Sequence, residues 1–427
     1  MAETMAGIAA DMLTIDAGRL HADIEAVNAI GRIDGVPGIN RISFSDADMA
    51  GRRWLLARIE DAGLVARMDA VGNVFGRWEI GSGPAVLAGS HLDTVPRGGP
   101  LDGTLGVCAA LEAVRAMRAS GLRPARPVEV VATADEEGRF GGMLGSQAIC
   151  GEVGPEWIAS AVDDTGAGLA DAMRAQGLDP AAEVARCPDE IAVFLELHVE
   201  QGPVLEATGE PIGVAGAVSG VFNWTVTLTG EANHAGTTPM TLRRDAFRGL
   251  ASFGAAIDGI LARAGGPDTR LTVGKVALEP NFPHSVAGRA TFSLIGRDVD
   301  EAVMRTVASA CREAIHRAAA AHGLGVGIAE QSWLPPTPLD PAVAARLSAV
   351  AGGARIMPSG AGHDAQTFAR HVPAGLIFIP SRGGISHSPD EWTGLEHIER
   401  GATVLARSMA AFALDDSDTS SDGEHLA

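Results

Sequence analysis

Short apolar runs that each finish in polar, metal-competent residues punctuate this chain and leave few folds open to it. Residues 71–78, 85–88 and 128–132 are apolar runs of strand length, and a segment of helical spacing at 106–120 separates the last two. The second run leads into Gly89-Ser90-His91-Leu92-Asp93 and the third into Thr133-Ala134-Asp135-Glu136-Glu137. Phe194-Leu195-Glu196-Leu197-His198 has the same form, and residues 375–380 lead into Gly383-Gly384-Ile385-Ser386-His387. Strand, helix, strand with polar loops after the strands predicts an open α/β sheet. Ligands of such sheets sit beyond the carboxyl ends of the strands, where these polar residues lie.

At 427 residues the chain suits two domains, or one domain carrying a large insertion. Residues 46–63 have helical spacing, with Trp54, Leu55, Ile59 and Leu64 on one face. From residue 213 the pattern changes: 224–228 and 290–295 alternate as strands, while 245–263 and 299–322 read as amphipathic helices. This predicts an inserted α+β unit over 213–333, with two helices on one sheet. The main domain is then built from 1–212 and 334–414, and the Asp-, Ser- and Thr-rich stretch 415–427 is expected to be a disordered tail.

Several function classes are excluded by composition. With 33 Lys and Arg against 53 Asp and Glu, a net charge of −20 argues against nucleic acid as a partner. No apolar run approaches the roughly 20 residues of a membrane-spanning helix, and the first residues lack the pattern of a secretory signal. A cytoplasmic protein is expected. Cys108, Cys150, Cys187 and Cys311 form no paired motif, which argues against a disulfide framework or a zinc ribbon. The chain has no tyrosine, so no tyrosine acid, base or oxyanion donor takes part in its chemistry.

Taken singly, the polar residues are ambiguous. His91 in SHLDT, with Asp93 two positions on, reads as a metal ligand with a carboxylate behind it or as a hydrogen-bonded loop histidine. Asp102, just before a helix, reads by itself as an N-cap before it reads as a ligand. Asp135, Glu136 and Glu137 repel one another unless a cation or a shared proton relieves them; a solvated acidic loop is the alternative. Together, three histidines (His91, His198, His387) and two carboxylates (Asp102, Glu137), each placed where an α/β sheet exposes side chains, suit zinc, manganese, nickel or cobalt. Their number fits two ions better than one.

On its segments GSHLDTVPRGGPLDGTLGV, DEEGRFGGMLGS, LELHVEQGPVLE, HAGTTPM, MPSGAGHDAQ and PSRGGISHSPDEWT, the chain resembles the M20 metallopeptidase superfamily. More closely it resembles the branch of N-carbamoyl-L-amino-acid hydrolases, β-ureidopropionases and allantoate amidohydrolases. The segments run in the family's order and cover nearly all of the chain. The resemblance implies a catalytic domain, with a mixed sheet flanked by helices, interrupted by a smaller α+β lid domain that also forms a homodimer. It implies two divalent ions held by His91, Asp102, Glu137, His198 and His387, with Asp102 bridging and Glu136 as general base. His198 stands where the peptidases of the superfamily place an aspartate. His234 would reach in from a partner subunit to stabilise developing charge, Gln201 would contact the ureido or amide end, and Arg297 would clamp the substrate acid. Gly360 and Gly362 would offer backbone N–H groups, with Asp93, His363 and Asp364 as support behind the ligands.

The chain also departs from that branch. Where the family reads NAINVIPG, this sequence has Asn281-Phe282-Pro283-His284-Ser285-Val286-Ala287-Gly288, so His284 replaces an asparagine that holds the substrate acid. The expected activity is hydrolysis of a linear C–N amide bond in a small, acid-bearing ureido compound. Hydrolysis of another N-acyl amino acid or amide, or of an allantoate- or ureidoglycolate-type compound, is the alternative. A dipeptidase or carboxypeptidase fits less well.

Overall fold

The computed structural model describes residues 12–415. The chain forms two compact units. One contains the described residues up to Gly216, Leu339–Met357 and the described residues from Gly362; the other contains Ala217–Pro338 and Pro358–Ala361. Of the acidic tail, 416–427 lies outside the described residues; the Asp415 carboxylate accepts a hydrogen bond from Arg346 at 2.7 Å.

The first unit is organised by a mixed sheet. In chain order its strands are β1 (Val65–Met68), β2 (Val74–Trp78), β3 (Ala85–His91), β4 (Val128–Thr133), β5 (Ile191–Val199) and β6 (Gly213–Val218). The second unit contributes β7 (Gly220–Thr229), β8 (Arg270–Thr272), β9 (Val276–Glu279), β10 (Arg289–Asp298), β11 (Gly325–Leu334) and the two-residue β12 (Thr337–Pro338). β13 (Arg355–Ser359) and β14 (Ala374–Ile379) complete the set. The larger sheet runs β1-β2-β4-β3-β5-β14-β6-β12, with β13 beside β6. Its centre, β4-β3-β5-β14, is parallel, and the outer pairs β1/β2, β2/β4 and β14/β6 are antiparallel.

Parallel strands are covered on both faces, which is why they read as continuous apolar runs rather than alternations. Every residue of β3, β4 and β14 is buried. The helices Thr104–Ala119 and Leu395–Ala413 pack against this core and bury Leu105, Leu111, Val114, Leu405 and Met409. The first of them approaches closely: a Cβ added at Gly106 would lie 2.6 Å from the Leu197 carbonyl, so only glycine fits. Register then aligns the strand ends. His91 pairs with Thr133 across β3/β4, and His198 pairs with Phe378 across β5/β14.

The second unit is a five-stranded antiparallel sheet, β11-β7-β10-β8 with β9 also on β10. Phe222, Trp224, Val226 and Leu228 of β7 and Ala290, Phe292 and Leu294 of β10 alternate inward under the helices Ala246–Gly254, Ile257–Ala264 and Glu301–Ala321. The single helix expected at 245–263 is therefore two. Gly254 is a poor helix former, and the Ala256 N–H reaches back only three residues, to the Phe253 carbonyl at 2.9 Å, tightening the turn between them. The sequence pattern also does not announce β11. Its side chains are half-exposed or exposed throughout, so it carries no strong apolar alternation.

All four cysteines are free thiols. Among the described residues no helix is long and apolar enough to cross a membrane.

Candidate metal centre

Four loops at the carboxyl ends of β3, β4, β5 and β14, with the turn before helix Thr104–Ala119, bring the polar residues together around Asp102. Its Oδ1 lies 3.0 Å from His198 Nε2 and 3.7 Å from His91 Nε2, and its Oδ2 lies 3.2 Å from His387 Nε2. Glu137 Oε2 is 3.5 Å from the same His387 nitrogen. Two three-residue groups result, His91/Asp102/His198 and Asp102/Glu137/His387, each with its potential ligand atoms within 4.8 Å of one another. They share Asp102 alone.

The N-cap reading of Asp102 does not hold: the helix begins from Gly103, which makes no side-chain cap bond, and the carboxylate turns towards the imidazoles. Gly103 takes φ 62°, and a Cβ there would sit 2.5 Å from the His91 ring, so a glycine is needed to let Asp102 and His91 meet. The solvated-loop reading of the acidic run also fails. Asp135 is wholly buried, and the side chains of Glu136 and Glu137 are only 8% and 9% exposed.

Two of the three imidazoles are held by their far nitrogens. His91 Nδ1 lies 2.9 Å from the Asp93 carbonyl and His198 Nδ1 2.8 Å from the Val199 carbonyl. A carbonyl only accepts, so Nδ1 carries the proton and Nε2 faces Asp102 with its lone pair in the neutral ring. The Asp93 carboxylate, two residues from His91, does a different job. It accepts the Glu136 and Glu137 backbone N–H groups at 3.4 and 3.1 Å and the Ser43 hydroxyl at 2.9 Å, fixing the acidic loop. Behind it, the fully buried Arg52 bonds Asp48 at 2.9 Å and lies 3.8 Å from Asp93.

Non-glycine residues with positive φ gather here: Asp135 at 52°, Gln201 at 56° and His387 at 52°. Such backbone is disfavoured for side-chain-bearing residues and is kept where surrounding contacts over-determine it, often at functional sites.

The electrostatics are those of a cation site. Burial pushes the Glu136 carboxyl well above its usual range, reinforced by Asp364, Glu137, Asp93 and Asp102. Burial and Asp102 likewise push Glu137 up to about 7, against the pull of His91 and His387. Burial opposes charge on His198, but the Asp102 hydrogen bond and charge outweigh it and raise that imidazole to about 9. The bond to Asp102 raises His387 to about 9 as well. Asp102, despite its burial, is held well below the normal carboxylate range by His198 and His387. Glu137 Oε1 is a buried oxygen with no hydrogen-bond partner. An unpartnered buried carboxylate oxygen beside crowded acids and imidazoles fits divalent cations.

A cation taking His198 and His387 as ligands must displace their protons. Below pH about 9 these rings carry charge, so the apparent metal affinity is expected to rise with pH by about tenfold per unit for each proton displaced, levelling off above that point. Calorimetric titration with Mn²⁺ or Zn²⁺ in buffers of different ionisation heats measures the proton count; a pH-independent affinity with no proton release would contradict the pairing.

Gln201 Nε2 lies 3.3 Å from Asp102 Oδ2 and 3.1 Å from Ser386 Oγ, so it joins the cluster. The buried His363 ring stands 4.5 Å from that of His198, and burial keeps it well below the usual imidazole range. Asp364 accepts from Thr133 Oγ1 at 2.5 Å, and Gly362 packs near the end of Met143. His234, His284, Arg297 and Gly360 belong to the second unit. There the Gly236 and Thr237 N–H groups donate to His234 Nδ1 at 3.0 and 3.2 Å, and the His284 carbonyl accepts from the Ala235 N–H at 2.9 Å. Arg297 donates to the Gly360 carbonyl at 2.7 Å, so that glycine engages through its C=O rather than its N–H.

Three residues escaped the sequence reading. Glu196 is wholly buried and accepts from Ser90 Oγ at 2.6 Å and the Ala365 N–H at 2.9 Å; its signal was a charge inside an apolar nine-residue strand. Glu391 accepts the Leu101 and Asp102 N–H groups at 2.8 and 3.0 Å and looks in sequence like a surface acid. Ser386, beside His387, bonds Glu391 at 2.6 Å.

The chain matches the sequence model described as Peptidase family M20/M25/M40 over residues 87–411. It belongs to that family. Among M20 relatives it is 38% identical over 390 residues to the allantoate amidohydrolase of Escherichia coli (strain K12), covering 89% of this chain and 94% of the relative. It is 37% identical over 386 residues to the N-carbamoyl-L-amino-acid amidohydrolase of Paenarthrobacter aurescens, covering 88% and 93%. A solved hydantoinase/carbamoylase family amidase from Burkholderia phymatum superposes with a TM-score of 0.86 at 36% identity, over 94% of this chain and 98% of that one. The first two of these M20 relatives are named as amidohydrolases.

Proposed function

We propose that this chain hydrolyses the linear C–N bond of a small, acid-bearing ureido compound, using two divalent ions held by His91, Asp102, Glu137, His198 and His387. The observation that carries the reading is the sharing of Asp102 between two separate ligand groups, with the Glu136 carboxylate outside both. One ion would take His91, Asp102 and His198, the other Asp102, Glu137 and His387. Bound there, zinc, manganese, nickel or cobalt would acidify a water and polarise the scissile carbonyl.

Glu136 then takes the attacking water's proton and delivers it to the departing nitrogen. Its burial among Asp364, Glu137 and Asp93, which favours the protonated form, suits the delivery half of that cycle. Asp93 holds the backbone from which Glu136 and Glu137 project, and His363 packs a neutral ring on His198. The second unit supplies the residues proposed for substrate recognition: Arg297 for the acid, His284 in place of the family's asparagine, and His234 for developing charge, with Gly360 beside Arg297.

We extend the proposal to a cytoplasmic homodimer in which His234 serves the partner subunit. Support comes from large apolar side chains exposed on the second unit, Leu242 at 73%, Phe282 at 60% and Phe247 at 52%. Phe247 and Phe282 line a cavity of about 470 Å³. Large exposed apolar side chains grouped in this way are found at association sites; sedimentation at the mass of one chain would end this part.

The deciding experiment gives purified protein Mn²⁺, Zn²⁺, Ni²⁺ or Co²⁺ in turn and measures ammonia release from N-carbamoyl amino acids, ureidoglycolate and allantoate. N-acyl amino acids and dipeptides serve beside them. Ammonia release from a ureido acid, abolished by chelator and restored by metal, is expected. Dipeptide cleavage without ureido turnover would overturn the reading.

A further inference from the structure

We infer that Glu391, acting through Ser386, locks the Gln201 side-chain amide with its NH₂ inward and its carbonyl as the acceptor offered to substrate. The M20 site thereby selects a leaving or acyl group that carries an N–H donor. This rests on the ureido reading above and deepens it, because it assigns the discrimination between carbamoyl and simple acyl substrates to a named relay.

Glu391 is 3% exposed, and one of its oxygens accepts two backbone N–H groups, from Leu101 at 2.8 Å and Asp102 at 3.0 Å. Its other oxygen lies 2.6 Å from Ser386 Oγ, a length typical of a hydroxyl donating to a carboxylate. As a carboxylate Glu391 only accepts: two backbone N–H groups on one oxygen and the Ser386 hydroxyl on the other. Ser386 has one proton and gives it to Glu391, so towards Gln201 it can only accept.

Gln201 Nε2 is 3.1 Å from that Ser386 oxygen and 3.3 Å from Asp102 Oδ2, an ionised acceptor. Both neighbours demand a donor, which fixes the orientation of the amide by chemistry rather than by the naming of its atoms. With both N–H bonds committed, Oε1 is the polar atom left, and no described residue donates to it. The backbone of Gln201 is held in the αL region at φ 56°, and its N–H donates to Ser381 Oγ at 3.0 Å, so the side chain starts from a fixed stem. An amide carbonyl beside the cluster welcomes a terminal NH₂ and gains nothing from a formyl hydrogen or acetyl methyl. A polar group built to be paired discriminates strongly when the partner is missing.

Glu391 is a positioning residue in this scheme. The same carboxylate that turns Ser386 also grips the backbone of Asp102, so it ties the loop after β3 to the loop after β14 across a sequence separation of 289 residues.

The test uses the metal-loaded full chain, with an N-carbamoyl and an N-formyl derivative of one amino acid. Variants Ser386→Ala, Ser386→Thr and Glu391→Gln are compared. In Glu391→Gln the carbonyl must still accept the two backbone N–H groups, so its NH₂ faces Ser386 and reverses the relay. The ratio of kcat/KM for carbamoyl over formyl is expected to fall by about tenfold in Ser386→Ala and Glu391→Gln, the value of one hydrogen bond, and to recover in Ser386→Thr. Metal content is measured in every variant. Equal losses on both substrates would overturn the inference. A second readout stands apart from turnover: ¹⁵N-glutamine labelling, with the Gln201 amide assigned by its disappearance in Gln201→Leu. Its NH₂ signals are expected to shift and exchange faster in Ser386→Ala. An unmoved signal overturns the relay whatever the substrate proves to be, whereas shifted signals with no ureido turnover would uphold the relay and sink only the ureido reading.

Discussion

Glu136→Gln is expected to lower kcat by about 10²- to 10⁴-fold, the range spanned by general acid–base catalysis, while metal content and KM change little. Glu136 stands 3.5 Å from His91 Nε2 but lies outside both groups that converge on Asp102. The amide keeps the volume and removes only the ability to take and return a proton. Glu137→Gln is the instructive contrast. Glu137 belongs to a ligand group and has a buried oxygen without a partner, so its loss is expected to show first as weaker metal retention. Steady-state kinetics beside elemental analysis of the same samples separates the two; a Glu136→Gln protein that sheds metal as readily as Glu137→Gln would reverse the assignments.

The second large effect is on stability. Arg52 is wholly buried, bonds the buried Asp48 at 2.9 Å and the carbonyls of Gly72 at 2.8 Å and Thr133 at 3.1 Å, and approaches Asp93 to 3.8 Å. Its cation is what makes two buried carboxylates tolerable: burial pushes Asp48 up, and Arg52 pulls it back. Arg52→Leu leaves those acids uncompensated and is expected to cost about 3–5 kcal/mol, as for other broken buried ion pairs. Urea unfolding measures it. Because Asp93 holds the backbone of Glu136 and Glu137, the variant is also expected to lose metal affinity before it unfolds. A loss below 1 kcal/mol, the value typical of surface pairs, would show that the buried charges are satisfied without Arg52.

Much of the site can be read from the residues themselves, and the limit of that reading has a physical basis. Parallel strands covered on both faces must be apolar along their length, so the positions where β3, β4, β5 and β14 stop and chemistry begins stand out in the chain. His91, Glu137, His198 and His387 stand at or just beyond such ends, and Asp102 stands in the turn before the helix that follows β3. The alternation that marks β7 and β10 arises in the same way, from a sheet with one covered face.

Tertiary structure decided which of these groups meet and what the remaining charges do. No spacing tells that Asp102 faces three imidazoles rather than capping its helix, or that the Asp93 carbonyl and not its carboxylate holds His91. Those outcomes depend on register between strands distant in sequence and on a left-handed turn at Gly103. Arg52, Glu196 and Glu391 carry the charges that most often mark a surface, and they are buried here because partners 41, 106 and 289 residues away enclose them. Burial of a charge is a property of its neighbours in space, which local sequence does not encode.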